Sequence, residues 1–451
     1  MIIRNHLSKL TLAGAALCLF ALIPAPGKAQ ATTGQNQQPS YTLPEYNAEQ
    51  AAAGEKDPQQ QIKLLDAFVA QYPNSTLMQY IYKLYYPAYY KLKNYQKAIE
   101  YADKLIALGD KADLGVRIDA IQAHIQLFPL AYPKPDNDQL TKQRDTALLG
   151  VKLMPDLKKV PNSPVTDAQI ALGVAYLEAA AGAASLQLKD YPGAIDAFKA
   201  ALSANPKDAV SAYRLGLAYL AATPANYMDG FWALARAIDL NVTDAPKIKD
   251  YLRQRILAYE QPGCDNQVDP QLSELLQLAQ ASPDRPATYT IPSHDDLSKI
   301  SQSSTIITVI SDLSTGGDKA KMTWLAICGA EFPEVVGKIV DVQKSDNTVD
   351  FMVFTSDNAD QMQNATMPNM DVKVWLTNPP PPAAGAPATA ADAAQPDVVR
   401  LEKDDPIRFA GAIVGYDPNP FLLHWDQVKV DPSTIPPEKG GARRPPHKPG
   451  L

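Results

Sequence analysis

Side chains able to do chemistry are sparse in this sequence, and their spacing fits few reactions. Of five histidines, His6 lies in the N-terminal stretch and His447 in the C-terminal one. His124, His294 and His424 remain, none in an H-E-x-x-H or other ligand spacing. The stretch STGGDKAK over 314–321 sets two glycines ahead of a lysine, but the G-x-x-x-x-G-K-[ST] frame that cradles phosphates is not met. No G-x-S-x-G elbow occurs, and a cysteine nucleophile would need a histidine partner that the sequence does not place. Asp and Glu number 49, so a carboxylate pair would arise in almost any fold and argues nothing. The expectation is a chain that is not an enzyme, with no catalytic residue, metal or cofactor; a hydrolase, resting on one Asp or Glu, is the third choice.

Whatever such a chain does must come from its surfaces, and composition bounds those. Its 451 residues, 46% hydrophobic and 20% charged, suffice for two or three domains with cores of their own. Arg4 and Lys9 precede an apolar run from Leu10 to Ile23, then Pro24, Pro26 and small residues. This is the layout of a secretory signal peptide over 1–29, cleaved near Ala29 or Ala31, with a short linker over 30–41. The run is short for a membrane span, and Leu17 before Cys18 is a poor match for lipid attachment. No other stretch reads as a membrane span, so the mature chain is expected to be exported, to a periplasm or outside the cell, and soluble.

Cys264 and Cys328 are too few for a disulfide framework; separate buried thiols are expected, with pairing in an oxidising compartment as the alternative. The formal charge of −7 becomes −10 without Arg4, Lys9 and Lys28, and −14 for the body without Lys439, Arg443, Arg444 and Lys448. So acidic a body is a poor match for nucleic acid.

One phrase occurs twice: KNYQKAIEYADKLIAL from Lys93 and KDYPGAIDAFKAALSANP from Lys189. A second echo joins LGVAYLEAA (172–180) to LGLAYLAAT (215–223). Together they resemble the tetratricopeptide repeat, a helix-turn-helix unit of about 34 residues. On that template the last unit carries Leu215, Gly216, Tyr219 and Ala237, and the one before it Leu172, Gly173, Tyr176, Ala194, Phe198, Ala201 and Pro206. Another near Gln79 offers Tyr82, Tyr89, Ala98 and Leu105, but has Tyr86 where the family has a small residue. An upstream unit ends on Leu65, Phe68 and Pro73. A degenerate one spans DLGVRIDAIQAHIQLF and QLTKQRDTALLGVKLMP. Five units are expected from 42 to about 242, with DAPKIKDYLRQRILAYEQ as the polar-faced cap, giving an all-α solenoid over 42–260.

The resemblance implies a groove, lined by the first helices, that holds a peptide or partner helix. Carried over, its positions are Tyr80, Lys83, Tyr90, Lys91, Asp167, Glu178, Tyr213 and Arg214. Lys83 and Arg214 are expected to clamp acidic groups, while the tyrosines also fit half-buried packing.

After Gln261 the periodicity changes. Residues 261–299 read as a linker, followed by two short helices parted by Gly316 and Gly317. Beyond Pro333 come β patterns: VVGKIVDVQ, TVDFMVF, DVKVWL, IRFAGAIVGYD and FLLHWDQVKV, with Gly411 at a bulge or corner. Residues 334–432, within a mainly β domain over 300–436, resemble an OB-like barrel of the tRNA-anti-like kind. Its Pro/Ala run over 378–397 is expected to be a disordered loop, and 437–451 a disordered basic tail. Trp375, Phe409 and Trp425 either stack on a saccharide or other small ligand, as the resemblance implies, or fill the barrel, which is the preferred assignment. The fold class is therefore an N-terminal all-α solenoid followed by a small OB-like β-barrel. The expected function is an exported scaffold that binds a partner protein or peptide, in support of an envelope or periplasmic assembly; the alternative is a barrel that holds a small ligand.

Overall fold

The computed structural model describes residues 40–160, 165–378, 394–426 and 428–438. The expected leader, the heart of the Pro/Ala run and the basic residues from Lys439 onward lie outside them. The chain divides into two units, residues to Lys249 with Leu278–Arg285, and Asp250–Gln277 with the residues from Pro286.

Five helix pairs build the first unit: α1 (Leu43–Gly54) with α2 (Pro58–Gln71), α3 (Met78–Lys91) with α4 (Tyr95–Ala107), α5 (Leu114–Ala131) with α6 (Asn137–Leu153), α7 (Asp167–Leu188) with α8 (Tyr191–Ala204), and α9 (Ala209–Ala221) with α10 (Tyr227–Asp239). The repeated phrase is a helix stop joined to a helix start. Lys93 and Lys189 adopt left-handed φ of 57° and 63°. Lys93 N donates to Tyr90 O and Asn94 N to Tyr89 O; Lys189 N donates to Leu186 O and Asp190 N to Ser185 O. This is the pair of bonds that satisfies the last carbonyls of a helix. Asn94 and Asp190 then cap the next helix through Lys97 N and Gly193 N. The same stop recurs at Asn241, φ 57°, without having been legible as a repeat.

Small residues let the paired helices touch. A Cβ on Gly216 would lie 2.7 Å from Leu234 Cγ and 3.0 Å from Gly230 O, so α9 and α10 meet almost backbone to backbone. Tyr86, the departure from the family pattern, is buried in a cluster with Ala98, Ala102, Ala120 and Ala123, whose small side chains make room for the ring. Helix α7 holds an 18-residue window of mean hydropathy 1.3, which meets the length and composition of a membrane span although no such stretch was expected. It lies packed between α6 and α8, with Gly173, Leu177, Ala180, Ala181 and Ala184 buried.

The division at Lys249 falls inside α11 (Ala245–Glu260), the expected cap, so only its first turn belongs to the repeat unit. The span expected as a linker holds helix α12 (Val268–Ala281), in which Leu272, Leu275 and Ala279 are buried. Cys264 and Cys328 are disulfide-bonded, Cα to Cα 5.6 Å, which replaces the expected separate thiols by the alternative. Sequence distance hid the pair, because 64 residues part them. Gly263 N donates to Leu325 O, and a Cβ on Gly263 would stand 1.9 Å from Cys328 O. Only glycine lets the two backbones come so close.

Helices α13 (His294–Ser303), α14 (Ile306–Thr315) and α15 (Gly317–Ile327) follow, the last two parted by Gly316 and Gly317 at φ 76° and 71°. Then come β1 (Glu331–Lys344), β2 (Thr348–Phe354), the short α16 (Ala359–Gln363), β3 (Met370–Trp375), β4 (Pro406–Pro418), β5 (Phe421–Trp425) and the two-residue β6 (Lys429–Val430). Pairing runs β1-β2-β3-β5-β4 and returns through β1–β4, closing five strands into a barrel with β6 added along β4. Only β3 and β5 run parallel. Alternation sends Val349, Phe351, Val353, Val372, Val374 and Ile339 inward. Gly411 stands opposite Phe332, where the β1 register slips before Val335, the irregularity its sequence context suggested.

Candidate functional site

Helix α3 presents its least buried stripe through Tyr80, Lys83 and Pro87, one turn apart in succession, and ends it on the adjacent Tyr90 and Lys91. Toward its N-terminal end this stripe faces the start of α5. Tyr80 donates its hydroxyl to Asp113 Oδ2 at 3.2 Å, and Lys83 Nζ reaches Asp119 Oδ2 at 2.8 Å. Lys83, Asp113, Asp119, the first residues of α5 (Leu114, Gly115, Val116) and Asp156, Lys159 and Val160 beyond α6 together line a groove of about 640 Å³. Burial raises the Tyr80 phenol, with Asp113 adding to it. Burial also raises the Asp119 carboxyl, against the pull of Lys83.

Asp113 has the residue type of a helix cap, yet its side chain makes no cap bond; its carboxylate is turned to Tyr80 instead. The groove thus holds main-chain amides at a helix start, two lysines and three aspartates, a mixed surface suited to a polar, zwitterionic partner such as a peptide. Lys83, expected as a clamp, already holds a carboxylate of its own chain.

The other carried-over positions stand apart from this groove. Tyr90 is 52% exposed, its ring 5.8 Å from Tyr95, and Lys91 is exposed beside it. Asp167 pairs with Lys158. Glu178 is half-buried, and that burial raises its carboxyl. Tyr213 and Arg214 are half-buried on α9; desolvation lowers the Arg214 guanidinium, with Asp208 opposing. Arg214 is not among the residues that line the groove with Lys83. The tyrosines chiefly pack: Tyr85 and Tyr101 stack with ring centroids 3.8 Å apart, and the Tyr85 hydroxyl meets Asp66 Oδ1 at 2.7 Å.

In the barrel, two of the three candidate ligand aromatics belong to the core. Phe409 and Trp425 are 1% and 2% exposed and meet edge to face at 5.2 Å. Their inward strand positions remove them from any ligand face. Trp375 is half-buried on the outer side, its indole Nε1 donating to Asp426 Oδ1 at 2.8 Å. Alternation on β2 and β3 puts Asp350 opposite Lys373, and Asp371 beside His424 of β5, on the same side. His424 lies 3.0 Å from Asp417 Oδ2 and 3.4 Å from Asp371 Oδ2. Burial raises the Asp350 carboxyl, with Asp371 and Asp426 adding to it and Lys373 opposing.

Sequence reasoning missed Asp113, Asp119, Asp156 and Lys159, which join Lys83 only through the stacking of successive units. The one legible signal was Asp113 itself, an Asp directly before a helical pattern.

No protein-family model matches the chain, and no curated protein does. Among solved structures, it is similar to the C-terminal part of a TPR repeat-containing protein from Cytophaga hutchinsonii, at 16% identity and a TM-score of 0.23, over 53% of this chain and 94% of that one. So low a score carries no argument. The helical-repeat architecture rests on the five helix pairs and their recurring stops.

Proposed function

We propose that the chain is a non-enzymatic, exported interaction protein, whose helical repeats hold an extended peptide or a partner helix in the groove between α3 and the start of α5. The observation that carries this is the groove itself, with Lys83 and Lys159 set among Asp113, Asp119 and Asp156 beside the first amides of α5. Alternating charge beside backbone donors suits an extended peptide, and affinity arises where a partner's carboxylate or amine exchanges with the Lys83–Asp119 and Lys159–Asp156 pairs. Export is supported by the leader layout over 1–29 and by the Cys264–Cys328 bond, since disulfides persist in oxidising compartments. An envelope or periplasmic assembly is the setting such a scaffold suits.

The test is affinity capture after in-cell crosslinking, comparing the wild type with a Lys83→Glu, Lys159→Glu variant. One stoichiometric partner that the variant loses, with its thermal unfolding unchanged, is the expected result. Undiminished capture by the variant would overturn the groove assignment.

A second reading, in which the barrel holds a saccharide, keeps one observation in its favour: Trp375 stands on the outer face with Asp426, Asp350 and Lys373 around it. Quenching of tryptophan fluorescence by a saccharide, abolished in Trp375→Phe, would favour it over the groove.

A further inference from the structure

Glu260 ends α11 with a side chain that is 0% exposed. Its Oε2 accepts from Gln271 Nε2 of α12 at 2.9 Å, while Oε1 has no hydrogen-bond partner among the described residues. Among the described residues no cation of the packed elements forms an ion pair with it. On its own helix Arg253 is held by Asp269, and Arg255 stands more than a turn back. On α12, Glu274 faces Lys321 of α15 at 3.8 Å. From the segment ahead of α13, Tyr289 lies within electrostatic reach of both Glu274 and Glu260. A carboxylate in such a place has lost its water and gained one amide donor, which does not compensate.

We propose that Glu260 is a pH-sensitive latch: neutral, it stays buried where the last turn of α11 meets α12, and on losing its proton it becomes a buried charge that the single Gln271 donor does not compensate, so that residues 250–277 loosen to let it reach water. Burial pushes its carboxyl from the ordinary 4.5 up to about 7, with the Gln271 donor opposing. The native state therefore prefers the protonated form. The stability this contributes is complete below the ordinary value, is lost as pH rises through the window from 4.5 to about 7, and changes no further above it. An exported protein meets pH changes of that size, so the device would tighten the second unit in mildly acidic surroundings.

Hydrogen exchange of the whole protein between pH 5 and 8, corrected for intrinsic rates, reads this directly. Peptides from 250–277 are expected to open on the order of 10²-fold more at the upper pH relative to peptides from β2 and β3, and Glu260→Gln to remove that rise. An equal rise in the variant, or none in the wild type, would overturn the proposal. A wild-type carboxyl-carbon NMR titration needs no variant: a Glu260 midpoint above about 6 supports the latch, and one at the ordinary value of about 4.3 sinks it.

Discussion

At the scale of single residues, the fate of the aromatic side chains separates core from surface. Trp425 fills the barrel between Phe409 and Phe332, whereas Trp375 has one face outward and a hydrogen bond to Asp426. Trp425→Ala should cost about 3–5 kcal/mol in urea unfolding, because it removes a buried ring and leaves a cavity in the barrel core. Trp375→Ala should cost roughly 1–2 kcal/mol, the loss of one charge-assisted bond and part of an apolar face. Equal losses would mean that both rings are core and the barrel has no aromatic face. Period-two alternation placed all three aromatics on strands, but did not by itself say which side was filled. Phe409 is inward by alternation with Ile407, and Trp425 stands opposite the buried Ile413, just before β4 slips register against β5 between Ile413 and Gly415, a bulge with no sequence mark beyond the glycine. Likewise Lys83 was legible as an exposed cation, but its pairing with Asp119 was not, since those residues are 36 apart and meet only when two units stack.

At the scale of elements, the repeats were the most readable feature, because the same close packing demands the same small and large residues each time. Their stops at Lys93 and Lys189 were visible as a repeated phrase, though not as left-handed turns. Helix α12 was missed because Pro270, in its first turn, reads as a breaker in sequence and is tolerated where no intrahelical donor is needed. The disulfide stood only as the alternative to separate thiols for a different reason: two cysteines carry no spacing signal. Its place gives a measurable consequence. A loop of 64 residues is closed by it, so replacing both cysteines by serine should destabilise the second unit by about 2–5 kcal/mol, and reductant should do the same to the wild type. Unchanged melting after complete reduction, verified by thiol counting, would show that Gly263 and its close backbone contact hold the segment alone.

At the scale of the whole molecule, two units carry different kinds of surface. The repeats offer a groove of mixed charge; the barrel offers an outer face of aspartates, one lysine, one histidine and one tryptophan. The partner function is assigned to the first because its charged groups are joined by helix-start amides in one concavity, and those are the contacts an extended chain completes. The most direct measurement is site-specific photo-crosslinking in the cell, with the crosslinker placed at Val160, which lines the groove, or at Lys199, exposed on the second helix of another repeat. The groove account expects one protein adduct from position 160, none from 199, and loss of the first in a Lys83→Glu, Lys159→Glu variant that still folds. Adducts from 199 alone, or an adduct at 160 indifferent to both charge reversals, would contradict it.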